Sequence, residues 1–211
     1  MDTTYFGKKF GVMLFKDAYS GNNLLKYYVN YETNKLYKQG ITELQSIGFK
    51  VEAIVCDGRR GLSKLFPDIP LQMCIFHQVA IITRYLTRKP RHASGLELRR
   101  LCLSLKDTDK ESFVGGLRQW HEKWEGFLAE RTINPITHKS HYTHQRLRSA
   151  YRSLNSNLDL LFTWYDYPEL NIPTTTNAID GHFSDLKNKL RNHNGLTVWR
   201  KKKFIDGFLK A

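Results

Sequence analysis

Cysteine is scarce in this chain of 211 residues: Cys56, Cys74 and Cys102, an odd number. Set in apolar surroundings, they do not make a disulfide framework, and a reducing cytosol fits them better. No apolar run approaches the roughly 18 residues that a membrane-crossing helix needs, which excludes an integral protein built on such helices. The opening MDTTYFGKKFGV has neither the apolar stretch nor the small-residue cleavage site of a secretory signal. Low-complexity linkers and internal repeats are also missing. Acids are outnumbered, 20 Asp and Glu against 33 Lys and Arg, for a formal charge of +13. Such an excess attracts polyanions, nucleic acid first and an anionic membrane surface second. With 41% hydrophobic and 13% aromatic residues, the chain can bury a core and is not disordered. Its length suits one domain, or one domain carrying an insertion.

Residues 4–17 offer two short aromatic and β-branched runs around Gly7-Lys8-Lys9, the signature of a hairpin. Ser20-Gly21-Asn22-Asn23 is a second turn, and residues 24–31 read as a third strand. Tyr37, Ile41, Leu44 and Gly48 then recur at helical spacing, with Gly48 suited to end the helix. Residues 51–56 form a buried strand stopped by Asp57-Gly58, 60–66 a brief helix ended by Pro67, 71–76 another buried strand, and 77–87 a helix. The order β-β-β-α-β-α-β-α implies an α/β fold with a mixed sheet flanked by helices, an order that ribonuclease-H-like folds share with others. From 88 to 172 the strand signals nearly vanish and apolar residues recur at three- and four-residue steps. This predicts an all-helical insertion, with Trp120 and Trp124 in its core rather than serving as a base-stacking platform. The segment 173–211 returns to the core, with Thr174-Thr175-Thr176-Asn177 as helix-capping material. The expected division is 1–87, 88–172 and 173–211.

Asp2 begins the first strand, Asp57 ends the fourth, and Asp180 sits in the first turns of the last helix beside Asn177. If the first and fourth strands are neighbours, Asp2 and Asp57 meet at one sheet edge, and the last helix can bring Asp180 to them. Converging carboxylates need counter-charge, and hard divalent cations with oxygen ligands supply it. A pair of such ions suits phosphodiester chemistry on nucleic acid. Taken singly, each acid is more often structural, since Asp-Gly is a common turn and an acid at a helix start compensates the dipole.

Asp2-Thr-Thr-Tyr-Phe-Gly, Cys56-Asp57-Gly-Arg-Arg-Gly-Leu, Cys74-Ile-Phe-His77 and Thr176-Asn-Ala-Ile-Asp180 follow one another in the order of the Mutator-type transposases. The chain resembles the bacterial insertion-sequence branch of that DDE group over almost its whole length. The resemblance implies a ribonuclease-H-like catalytic domain with an all-helical insertion before the last acid. It further implies cleavage at transposon ends and joining to target DNA, with Mg²⁺ or Mn²⁺, two ions in all, on Asp2, Asp57 and Asp180. The expected partners are DNA and further copies of the chain on DNA, with no membrane, and the expected place is the bacterial cytoplasm at the nucleoid. Where the family has glutamate as third acid this sequence has Asp180, with Asp185 five residues on. The start at Asp2 predicts a truncated front end, and a second reading is a truncated, non-catalytic DNA-binding remnant.

Cys74 and His77 make C-x₂-H, half of a zinc spacing, and no zinc is expected even with His138, His141 and His144 downstream. Their expected role is support of the active site, with Asn177, or a place in the core. Basic residues gather in strips: Arg84, Arg88, Lys89 and Arg91; Arg146, Arg148 and Arg152; and Lys187, Lys189, Arg191, His193 and 200–203. Charge runs are usually solvated faces, but a +13 chain favours phosphate contact. Arg59 and Arg60, beside Asp57, are expected to touch DNA near the cut, with Arg146, Arg148, Lys187, Lys189 and Arg191 holding it further out.

Overall fold

A computed structural model describes residues 1–210, which form a mixed α/β structure. Strands β1 (Asp2–Phe6), β2 (Phe10–Lys16) and β3 (Asn23–Val29) form an antiparallel meander in that order. β2 is covered on both faces, and its alternation sorts the core. Phe10, Val12 and Leu14 face one apolar cluster, while Met13 and Phe15 face another. The second cluster takes in α1 (Asn34–Ser46), whose Gly40 lies so close to Phe15 that an added Cβ would come within 2.2 Å of the ring. At the end of α1 Gly48 has φ +97°, and two bonds close the turn: Phe49 N–H to the Leu44 carbonyl and Gly48 N–H to that of Gln45.

β4 (Ile54–Cys56) and β5 (Leu71–Met73) pair in parallel as a separate two-stranded sheet. The expected single mixed sheet is thus divided, and one backbone bond joins its parts at the head of β1: the Met1 amino nitrogen donates to the Val55 carbonyl at 2.8 Å. Each of these strands is only three residues long, shorter than the expected 51–56 and 71–76. The expected helix at 60–66 shrinks to one tight turn, Ser63–Leu65, because Gly58 and Gly61 take positive φ before it and Pro67 follows. The next helix, α2 (Ile75–Leu86), starts two residues earlier than expected.

Beyond it come α3 (Ala93–Leu103), α4 (Lys110–Ala129), α5 (Gln145–Ser156) and the single turns α6 (Leu158–Leu161) and α7 (Thr163–Asp166). Trp120 is buried and its indole N–H donates to the Ser94 carbonyl at 2.9 Å, so it belongs to the core of this body. The same cluster continues into Met73 of β5 and Ile75 and Ile82 of α2. An all-helical insertion is corrected in one place. β6 (Arg131–Ile133) and β7 (Ser140–Tyr142) form an antiparallel hairpin between α4 and α5. Its strands are mostly exposed and leave no apolar alternation in the sequence. Local chemistry builds it: the Asn134 side chain accepts from the N–H groups of Ile136 and Thr137, and His138 takes φ +52°.

The last segment is two helices, α8 (Asn177–Arg191) and α9 (Val198–Leu209), separated near Gly195 at φ +83°. Ile179, Phe183, Leu186 and Leu190 of α8 join Ile205 and Leu209 of α9 against the Val12 and Leu14 face of β2. Among the described residues no helix is long and apolar enough to cross a membrane.

Candidate active site

Three elements converge where the two sheets meet. β1 begins with Asp2, half-buried and drawn alongside β4 by the bond from Met1 to Val55. Asp57 follows the last residue of β4, and α8, packed on β2, carries Asp180 in its first turn. Each carboxylate is fixed through one oxygen. Asp2 Oδ1 accepts from the Thr3 N–H at 2.8 Å, Asp57 Oδ1 from the Arg59 N–H at 3.1 Å, and Asp180 Oδ2 from the Thr176 hydroxyl at 3.0 Å. Among the described residues the other oxygen of each takes no hydrogen bond or ion pair.

The charges of the other two acids reach Asp2. Burial is the main force pushing the Asp2 carboxyl up, to about 6, against the Thr3 hydrogen bond, and the charges of Asp180 and Asp57 push the same way. Among the described residues no three His, Cys, Asp or Glu are gathered closely enough to hold a metal ion as they stand. The donor set still fits a hard divalent cation in kind: carboxylate oxygens, each with one left free, around an Asp2 that burial and two further carboxylates push toward its protonated form.

The starts of α2 and α8 are tied together beside these acids, with Ile75 N–H donating to the Thr174 carbonyl at 2.9 Å. Thr176 is the N-cap of α8, yet its side chain makes no cap bond. Its hydroxyl lies 3.0 Å from Asp180 Oδ2, 3.4 Å from Cys74 Sγ and 3.5 Å from His77 Nδ1, and its N–H donates to the same sulfur at 3.3 Å. Burial pushes the Cys74 thiol up, but hydrogen bonds from His77 and Thr176 outweigh it and leave the thiol below its ordinary value. Its neighbour moves the other way. The hydrogen bond to Cys74 raises His77 to about 9 against burial, and the charges of Cys74, Asp2 and Asp180 add to it. A cationic His77 therefore stands among the acids as local counter-charge. Asn177, exposed at the head of α8, is next to this group in the chain but outside its bonds.

The expected DNA contacts are placed unevenly. Arg59 is turned inward, donating from Nε to Asn34 Oδ1 at 2.6 Å and from Nη2 to the Glu32 carbonyl at 2.9 Å, with the Glu32 carboxylate 3.6 Å away. That guanidinium braces the Asp57 loop and is not free for a phosphate, whereas Arg60 is exposed. Arg148 donates to the Leu128 carbonyl at 2.7 Å and stacks on Tyr142 at 3.6 Å, and Arg146 reaches the Arg84 carbonyl. Lys189 pairs with Asp185 at 3.1 Å on the exposed side of α8, and Asp185 is not among the charges acting on Asp2. Lys187 is half-buried and Arg191 exposed on the same helix. Sequence reasoning passed over Thr176 as a link, having taken it for capping material. It also passed over Glu32, whose pairing with Arg59 spans a separation that no local pattern carries. Comparison with family models, curated proteins and solved structures returns no match for the chain.

Proposed function

We propose that this chain is the ribonuclease-H-like catalytic domain of a Mutator-type DDE transposase, cutting DNA phosphodiesters at transposon ends and transferring strands into target DNA. The observation that carries this reading is the crowding of Asp2 by Asp57 and Asp180, each with an unbonded oxygen, at the junction of β1, β4 and α8. The element order, the parallel β4–β5 pair and the Met1–Val55 bond support the fold assignment. Asp2, Asp57 and Asp180 would hold Mg²⁺ or Mn²⁺. Bound there, the ions would polarise the scissile phosphate and lower the pKa of the attacking hydroxyl or water. Cationic His77 balances the acids while they are free of metal, Thr176 fixes the rotamer of Asp180, and Arg59 holds the Asp57 loop against α1. The setting is bacterial, at the nucleoid, with copies of the chain paired across DNA.

The test is nicking of supercoiled DNA in Mg²⁺ or Mn²⁺ by the chain and by Asp57→Asn. Nicking that needs the cation and vanishes in Asp57→Asn is expected, and nicking that survives in Asp57→Asn overturns the assignment. A second reading, a non-catalytic DNA-binding remnant, draws on the absence of a closed metal cluster among the described residues. DNA binding with no nicking, even in Asp180→Glu, decides for it.

A further inference from the structure

Helix α2 joins two places of opposite chemistry. Its first residues lie at the acids, and its last, Leu86, helps floor an open groove of about 640 Å³ on the helical body. Twelve residues at about 1.5 Å each put the two roughly 18 Å apart. Leu86, Leu147 and Phe127 make the floor apolar, while Arg91 and Arg146 stand on the lining with their charges. Three rings form a stack there: His92 on Phe127 with centroids 4.2 Å apart and planes within 7°, and Phe127 on His144 at 3.6 Å.

The stack is fixed in advance. His92 caps α3, its Nδ1 accepting from the Ser94 N–H at 3.3 Å, and His144 Nε2 pairs with the Glu130 carboxylate at 2.9 Å. Arg146 is steadied by the Arg84 carbonyl. Packing alone leaves this arrangement unexplained, because Arg91 and His92 are both exposed. Aromatic rings beside guanidinium groups accept a base of any identity together with its phosphates, and prior ordering lowers the cost of binding.

We propose that this groove seats an unpaired nucleotide of a DNA strand, its base on the outer face of His92 at the end of the His92–Phe127–His144 stack and its phosphates on Arg91 and Arg146. The assignment rests on the reading that the chain acts on DNA, but it does not require catalysis.

The experiment uses the full chain in EDTA with oligonucleotides carrying 2-aminopurine at successive positions of a single-stranded segment. Quenching of 2-aminopurine is expected on binding. Arg91→Gln with Arg146→Gln should weaken single-strand binding about tenfold or more and flatten the log–log salt slope by about 1.4, the loss of two phosphate contacts. His92→Asn keeps a capping side chain, so thermal unfolding should stay in place while quenching falls. An unchanged salt slope in the arginine pair, undiminished quenching in His92→Asn, or no DNA binding at all overturns the groove. So does an equal loss for blunt duplex and single strand, which makes the arginines part of a duplex track. Binding with quenching but no nicking in Mg²⁺ or Mn²⁺ leaves the groove standing and removes the catalytic reading. Nicking with groove variants indistinguishable from wild type removes the groove alone.

Discussion

The sheet body and the helical body handle charge in opposite ways. Around β1, β4 and α8 the chain brings like charges together, and the arginine two residues after Asp57, Arg59, is engaged by Glu32 and Asn34 instead of neutralising them. At the groove on the helical body it gathers Arg91, Arg146 and rings, with Glu130 paired to His144 of the stack. The first arrangement costs free energy unless a cation arrives, and the second unless a polyanion does. A formal charge of +13 therefore conceals two unlike settings, a cluster of acids in one body and a cation-lined groove on the other.

The comparison breaks most sharply if the two functions do not separate. Asp57→Asn should lower metal-dependent nicking by roughly a thousandfold or more, several kcal/mol of transition-state stabilisation, and leave DNA affinity within about twofold. Quantified nicking together with anisotropy titrations would show it, and a matching collapse of affinity would mean that the acid centre itself holds the DNA. Next in size is the core that the bodies share. Leu154 is fully buried in the cluster that runs on into Met73 and Ile75, so Leu154→Ala should cost about 2–5 kcal/mol. Urea unfolding followed by tryptophan fluorescence and far-UV dichroism should give one coincident transition, whereas two separated transitions would make the bodies independent.

The acid centre carries its own pH signature. Folding raises the Asp2 carboxyl from 3.8 to about 6, so the folded state binds that proton more tightly than the unfolded chain does. Stability from this group is fully present below about pH 4 and is lost as pH rises through about 6, by up to about 3 kcal/mol in metal-free protein. Asp2→Asn should flatten that fall in denaturation curves collected from pH 4 to 7. Cation binding should strengthen over the same interval, because the proton has to leave first. The smallest effect expected is at Gly48, where φ +97° is unsuited to a side chain although the space around it is open. Gly48→Ala should cost about 1–2 kcal/mol in thermal unfolding and leave nicking and groove binding untouched.

Local periodicity made much of the scaffold legible. The meander, the end of α1 at Gly48 and the burial of Trp120 all follow from spacings within one element. The division of the sheet does not, because it turns on one bond between Met1 and Val55, residues far apart in sequence. The hairpin Arg131–Tyr142 escaped for a different reason: an exposed ribbon carries no apolar alternation, and only Asn134-Pro135 marked its turn. The acids could be ordered along the chain but not brought together without the packing of α8 on β2. Likewise, Arg59 reads as a free cation until Glu32 is seen opposite it.

Thr176 has one hydroxyl hydrogen, and three neighbours lie within reach of it: Asp180, Cys74 and His77. It can serve as a donor to only one of them at a time. While Asp180 draws that hydrogen, the Cys74 sulfur keeps the Thr176 N–H and its bonds from His77 but not the hydroxyl. When Asp180 no longer needs it, the hydroxyl is free to turn to the sulfur. The rotation of one C–O bond thus makes the electrical state of a carboxylate on α8 legible to a buried sulfur at the head of α2.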